Sequence, residues 1–261
     1  MKVTVITGAS SGIGEAFARR LAANGHDLVL VARSENKLHE LCDELMLEYK
    51  IMAHYVALDL LEEDADEKLL EETSKHNFEV DWLINNAGFG SMGDFATLDL
   101  EKELDIIRLN VSSLVAMTHR FLPQMRERKR GTVINVSSSA GFQPIPFMAT
   151  YAATKAFVTS FTEAVAEENR PFGIRTMALC PGATRTNFFA ASDIKEPLKV
   201  KGEQSPEEVV DAALKGLRRG KNTVISGWAN YIGSVLGKHV PDSVSTRVVA
   251  RALRPKYQEN E

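Results

Sequence analysis

Cysteine is scarce: the 261 residues hold two, Cys42 and Cys180. One falls in a helical pattern and the other at the end of a strand pattern. They form neither a ligand cluster nor a secreted disulfide scaffold. A reducing compartment follows, and a cytoplasmic location is expected. An excess of basic charge is also missing. Lys and Arg number 31 against 35 for Asp and Glu, giving a formal net charge of −4. A protein built to coat nucleic acid is excluded on that balance. No uninterrupted apolar run reaches the length of a bilayer span, so stable membrane insertion is not expected. No charged segment followed by an apolar one precedes the first strand pattern, so no signal peptide is expected. The six histidines, His26, His39, His54, His76, His119 and His239, show no metal-ligand spacing, and no metal is expected. Internal repeats, low-complexity segments and Gly-, Ser- or Pro-rich linkers are absent.

What remains is an average globular composition, 44% apolar and 25% charged. Short apolar runs at Val3–Thr7, Leu28–Val31, Ala53–Leu58, Trp82–Asn85, Thr132–Val136, Arg175–Leu179 and Thr223–Ile225 predict strands. Most are continuous rather than alternating, as strands of a parallel sheet are when helices cover both faces. Helical patterns fill the gaps: Ile13–Asn24, Glu35–Tyr49, Glu62–His76, Glu101–Arg128, Ala152–Arg170 and Pro206–Arg219. The alternation predicts an α/β fold with a doubly wound parallel sheet and right-handed crossovers. One domain over 1–261 is the simplest division, with a cofactor half to about 135 and a catalytic half from about 136. Two short apolar helical patterns, Trp228–Leu236 and Val244–Leu253, follow the last strand.

The first strand runs into Gly8-Ala9-Ser10-Ser11-Gly12-Ile13-Gly14 and then a helix. Such a junction brings backbone N–H groups close to a pyrophosphate, and the helix N-terminus adds partial positive charge. The same residues also read as GxSxG, a nucleophile elbow that would make Ser10 the nucleophile of a serine hydrolase. No earlier strand exists to lend that elbow its second oxyanion donor. A P-loop at Gly216–Lys221 fails on spacing, and Asn222 replaces the needed Ser or Thr. After the second strand, Ala32 stands where an NAD-binding sheet usually has a carboxylate, and Arg33 follows. Its guanidinium fork matches a 2′-phosphate, so NADP(H) is expected rather than NAD(H), with Ser34 and Lys37 as weaker contacts. The alternative is an ordinary solvated arginine.

Tyr151 and Lys155 stand at i and i+4 on one helix face. Thirteen residues upstream of Tyr151, a strand ends in Ser137-Ser138-Ser139, at the edge of the crevice that holds the Gly-rich turn. A nearby ammonium and an oxidised nicotinamide favour the phenolate and should bring the Tyr151 pKa down. That phenol can give a proton to a carbonyl oxygen and take it back, while a serine hydroxyl orients the same oxygen.

With Thr7–Gly14, Asn85-Asn86-Ala87-Gly88, Asn110, Ser138, Tyr151-x-x-x-Lys155 and Pro181-Gly182 in order and spacing, the sequence resembles the short-chain dehydrogenase/reductase family over most of its length. The resemblance implies a seven-stranded Rossmann sheet, assembled as a homodimer or homotetramer. It implies that Tyr151 is the general acid/base and that Ser138 positions the substrate carbonyl. Lys155 would hold the nicotinamide ribose and lower the Tyr151 pKa, and Asn110 would keep a proton-relaying water beside it. Asn86, Ala87 and Gly88 would line the adenosine ribose, Asp59 and Leu60 the adenine, and Pro181, Gly182, Thr184 and Thr186 the carboxamide. Other readings stay beside these: Asn110 as a buried polar group satisfying backbone, and Asp59 as a helix N-cap.

Phe89, Phe142, Phe147, Met148 and Phe188 lie in loops after strands and are expected to line the substrate pocket. The loops carry no arginine clamp, so an apolar or acyl-type carbonyl is the expected substrate. The segment Phe188–Gln204 reads as a mobile lid. The acidic run Glu62–Glu72 reads as a solvated helix face, and Arg126–Arg130 as a helix C-terminus. Val244–Leu253, with Arg247, Arg251 and Arg254, reads as a subunit or edge-covering helix before a membrane-touching one. The expectation is an NADPH-dependent carbonyl reductase. A nucleotide-binding sensor or scaffold on the same fold, and the Ser10 hydrolase, are the alternatives.

Overall fold

The computed structural model describes residues 1–186, 188, 192, 202–228, 230–232 and 242–258. Seven parallel strands form one sheet in the order β3-β2-β1-β4-β5-β6-β7. They are β1 Lys2–Thr7, β2 Leu28–Ala32, β3 Ala53–Ala57, β4 Glu79–Asn85, β5 Gly131–Val136, β6 Ile174–Cys180 and β7 Thr223–Ile225. All five residues of β2 and all six of β5 are buried, as continuous apolar runs require of central parallel strands. Side chains alternate between the two faces. Ile6, Leu28, Leu30 and Ile134 pack on one face beneath α1 (Gly12–Ala23), α2 (Glu35–Tyr49) and α7 (Pro206–Arg218). Val3, Val5, Val29 and Val133 pack on the other beneath α3 (Ala65–Lys75) and α5 (Leu114–Glu127).

The chain reverses its winding between β1 and β4, which are neighbours in the sheet. The connections leaving their C-terminal ends therefore run to opposite faces of the sheet and leave the crevice that open α/β sheets use for ligands. One long helix was the reading for Glu101–Arg128. The structure breaks it into α4 (Leu100–Ile107), a π turn at Arg108–Ser113 and α5. The extra residue in that turn re-aims Asn110, which is 1% exposed. α3 begins at Ala65 rather than Glu62, because Asp59 takes the Leu61 N–H in a turn of its own. α6 covers Ala149–Asn169, and α8, Asp242–Tyr257, is longer than the apolar pattern that announced it. Of the lid expected over Phe188–Gln204, residues 189–191 and 193–201 lie outside the described residues, as do 229 and 233–236 of the pattern Trp228–Leu236. Among the described residues no helix is long and apolar enough to cross a membrane.

Candidate active site

Thr7, at the end of β1, ties the crevice together. Its hydroxyl accepts the Asn86 and Ala87 N–H groups, each at 3.0 Å. Asn86 Nδ2 returns bonds to the Thr7 carbonyl at 2.9 Å and the Gly8 carbonyl at 3.2 Å. The Gly-rich turn is thus fastened to the loop after β4. Gly8 has φ +65°, and a Cβ there would lie 2.9 Å from Ala87 Cα. A side chain at Gly8 would both strain the backbone and push the two loops apart. α1 starts at this turn, and Ser11 at its N-cap makes no side-chain capping bond. Gly8, Ser10, Ser11, Gly12 and Ile13 line a cavity of about 770 Å³, while Gly14 sits behind them. A narrow glycine cradle beside an uncapped helix N-terminus fits a nucleotide pyrophosphate.

Along the same cavity stand Ala87, Gly88, Leu60, Asp59, Arg33, Pro181, Gly182, Thr184 and Thr186. Arg33 and Asp59 stand side by side just past β2 and β3, with Nη1 and Oδ2 3.9 Å apart. Asp59 Oδ1 accepts the Leu61 N–H at 3.0 Å, so the residue closes a turn and lines the cavity at once.

The wall facing the glycines carries Ser138, Tyr151 and Lys155. Ser138 lies in the loop after β5, where its hydroxyl accepts the Ala140 N–H at 3.1 Å and stands near enough to the Tyr151 phenol to oppose the effect of burial on it. Its neighbour Ser137 points elsewhere, donating to the Lys155 carbonyl at 2.6 Å. α6 supplies Tyr151 and Lys155 one turn apart, 8% and 4% exposed. Lys155 Nζ donates to the Val136 carbonyl at 2.9 Å and lies 5.7 Å from the centre of the Tyr151 ring.

Burial sets the electrostatics here. It pushes the Tyr151 phenol above its ordinary pKa, against the opposing effect of Ser138, and it brings Lys155 down to about 8. Two desolvated groups each lose charge, and the lysine spends a proton on Val136.

Asn110 is buried beside this wall rather than on it. Its Nδ2 donates to the Phe89 carbonyl at 2.9 Å and to Thr154 Oγ1 at 3.2 Å, and its Oδ1 accepts the Phe89 N–H at 3.2 Å. Its side chain thus joins the β4 loop to α6. A Cβ at Gly88 would come 2.7 Å from Asn110 Oδ1 and 3.4 Å from Lys155 Nζ, so this glycine lets both approach the β4 loop.

Of the five residues expected in the substrate pocket, Phe89, Met148 and Phe188 line the cavity. The Phe188 ring packs 5.4 Å from that of Tyr151. Phe142 and Phe147 do not line it. Phe147 has φ +66°, and its ring packs 5.4 Å from Tyr257 of α8. Its place in the loop after β5 suggested the pocket, but the turn seats that side chain against α8. Sequence reading missed Asp99, Glu101, Lys102 and Asp105, which bring α4 to the cavity rim. Their place directly after the β4 loop was the available signal. Gly90 closes on the same rings: a Cβ there would lie 2.8 Å from Tyr151 Cδ2 and 3.2 Å from Phe188 Cζ. Ser10 lines the cavity, but among the described residues no histidine does, so a Ser10 hydrolase has no such base.

A sequence profile described as short chain dehydrogenase matches residues 2–197. Human very-long-chain 3-oxoacyl-CoA reductase is 33% identical over 216 residues, covering 81% of this chain and 67% of that protein. A short-chain dehydrogenase from Sphingobium yanoikuyae in complex with NADPH superposes with a TM-score of 0.81 at 30% identity, over 100% of this chain and 98% of its own. A 7beta-hydroxysteroid dehydrogenase structure gives 0.85 at 29% identity, over 95% and 96%. With the fold, the crevice and a profile match over most of its length agreeing, the chain belongs to the short-chain dehydrogenase family.

Proposed function

We propose that this oxidoreductase transfers a hydride between NADPH and an apolar or acyl-type carbonyl, reversibly. One observation carries the reading: a buried Tyr151 phenol, one helical turn from Lys155 and on the same wall as Ser138, shares a cavity with the Gly-rich turn. Gly8, Ser10, Ser11, Gly12, Ile13 and Gly14 would cradle the pyrophosphate, and Arg33 the 2′-phosphate. Asp59 and Leu60 would flank the adenine, Asn86, Ala87 and Gly88 the adenosine ribose, and Pro181, Gly182, Thr184 and Thr186 the carboxamide. The bound nicotinamide would supply the hydride.

In this mechanism Ser138 Oγ and Tyr151 Oη both donate to the substrate oxygen and polarise its carbonyl. As charge grows on that oxygen, Tyr151 Oη gives up its proton. Lys155 then stabilises the phenolate, and burial, which disfavours that anion beforehand, keeps the proton on Tyr151 until it is needed. Asn110, whose side chain bonds Phe89 and Thr154 behind this wall, would keep a proton-relaying water beside Lys155. Phe89, Met148 and Phe188 offer apolar contact to the substrate. The names of relatives as 3-oxoacyl-CoA and steroid enzymes support an apolar or acyl class. The stacked rings of Phe157 and Phe161 on α6, with Phe157 exposed, support a homo-oligomer.

Initial rates of nicotinamide oxidation across apolar ketones, aldehydes and 3-oxoacyl thioesters test the reading, each with NADPH and with NADH. Turnover that prefers NADPH and disappears in Tyr151→Phe is expected. NADPH binding without turnover on any of these carbonyls would leave a sensor and overturn the enzymatic reading.

A further inference from the structure

Three side chains that the sequence scatters meet at the outer edge of the sheet, away from the cavity. β3 is the edge strand, and its second residue, His54, faces Glu72 and His76 from the end of α3. Glu72 Oε1 lies 3.3 Å from His54 Nε2 and 3.1 Å from His76 Nε2, and the three donor atoms all fall within 4.8 Å of one another. Bonds of about 2.0–2.1 Å around a tetrahedral zinc set its donors roughly 3.3 Å apart. Two of the three edges of such a site are therefore already in place.

The local structure holds the donors there. Glu72 and His76 are one helical turn apart and share a face. The imidazoles of His54 and His76 pack 4.5 Å apart, and both lean on Phe78, at 5.8 and 5.1 Å. Lys75 approaches the other carboxylate oxygen, Oε2, at 3.4 Å, which leaves Oε1 to the histidines. The side chains of His54 and Glu72 are each 28% exposed and that of His76 is 44% exposed, so an ion and its waters can reach the cluster from solvent.

We propose that His54, Glu72 and His76 form a site for a zinc-class divalent ion, with solvent completing the tetrahedron, which clips the end of α3 to edge strand β3. Two imidazoles and one carboxylate suit borderline transition ions. Calcium and magnesium take oxygen ligands and are poor matches. The site stands about 13 Å along β3 from Leu58, where the nucleotide cavity begins. Its role is to anchor the edge of the sheet, and it is separate from the oxidoreductase reading.

The test uses untagged full-length protein stripped with a chelator. Calorimetric titration with Zn²⁺ should give one ion per chain, and Co²⁺ should give the visible absorption of a tetrahedral site. Loss of an outer partner of a metal ligand typically costs roughly 10–100-fold in affinity, and loss of a ligand should cost no less. His54→Asn, His76→Asn and the near-isosteric Glu72→Gln should therefore each weaken binding about tenfold or more. Zinc should raise the melting temperature of the parent protein but not of these variants. His39→Asn, at an exposed histidine paired with Asp43 on α2, should bind as the parent does. Circular dichroism of the stripped variants checks that they fold. Binding no tighter than about 1 mM in the parent, or tight binding kept by the folded variants, overturns the proposal.

Discussion

Replacing Arg33 by alanine separates the two nicotinamide cofactors by a worked amount. The guanidinium stands at the cavity rim with its side chain 72% exposed, and Asp59 Oδ2 lies 3.9 Å away. A hydrogen bond to a charged group contributes about 1.5–3 kcal/mol. Solvent screens so exposed a pair, so the lower end applies, about 1.5 kcal/mol or roughly tenfold in affinity. NADPH should therefore bind Arg33→Ala about tenfold more weakly, while NADH, which has no 2′-phosphate, should change by less than about twofold. The carboxylate beside it gives the reverse experiment. Asp59 repels a 2′-phosphate and competes for the guanidinium, so Asp59→Asn should tighten NADPH and leave NADH unchanged or weaker. Fluorescence titration of both cofactors against the parent and the two variants, at low and high salt, measures these constants. The NADPH preference should shrink as salt rises, since exposed charges are screened over about 10 Å at 0.1 M. Equal loss for the two cofactors in Arg33→Ala would refute the assignment of the 2′-phosphate to this side chain.

Tyr151→Phe should lower turnover by about 10²–10⁴-fold, the contribution of a general acid, and leave the cofactor dissociation constant within about twofold. Stopped-flow rates beside a binding titration distinguish this from a folding defect. Lys155 is held at about 8, below the ordinary value of a lysine, so between pH 8 and about 10.5 the unfolded chain binds the extra proton. Its burial therefore opposes folding most below pH 8, by on the order of 3 kcal/mol, and this cost fades as pH rises toward 10.5. Lys155→Met should melt above the parent near pH 7 and lose that advantage by pH 10, even though its turnover collapses. A parent that gains no stability relative to Lys155→Met across that window would contradict the burial argument. Gly90→Ala should drive a methyl group into the space of the Tyr151 and Phe188 rings, lowering kcat more than tenfold by about the cost of a displaced catalytic group while cofactor affinity holds. A Gly90→Ala enzyme of parental kcat would mean that the Tyr151 ring has room to yield.

The sheet was readable because most of its strands are closed apolar phrases. Leu28–Val31 and Thr132–Val136 are apolar on both faces, and only a strand covered twice carries that pattern. The catalytic candidates were readable because their spacing is local: Gly8 to Gly14 within one turn, Tyr151 to Lys155 within one turn of helix. What crosses the molecule was not. Arg33 and Asp59 stand just past adjacent strands, 26 residues apart in sequence, and their pairing exists because β2 and β3 are neighbours in register. The seating of Phe147 against α8 depends on a backbone in the left-handed region, which nothing in Ile145-Pro146-Phe147 announces for a bulky residue.

Asn110 and His54 show the same limit at two sites. A helical pattern from Glu101 to Arg128 is unbroken in apolar periodicity, and one extra residue per turn at Arg108–Ser113 leaves no mark on it. Yet that residue decides whether Asn110 reaches Phe89 and Thr154 or faces another way. Periodicity records which face is buried; it does not record the angle at which one polar group leaves that face. His54 and His76 likewise lacked the sequence spacing of metal ligands because one comes from a strand and the other from a helix packed against it. Their convergence on Glu72 is set by the crossing of β3 and α3, a tertiary quantity. Residues whose partners lie one turn away can be assigned from the chain alone. Residues whose partners lie across a packed interface become assignable only when the interface is seen, and in this protein both the loop behind Lys155 and the histidine cluster at the sheet edge belong to that second kind.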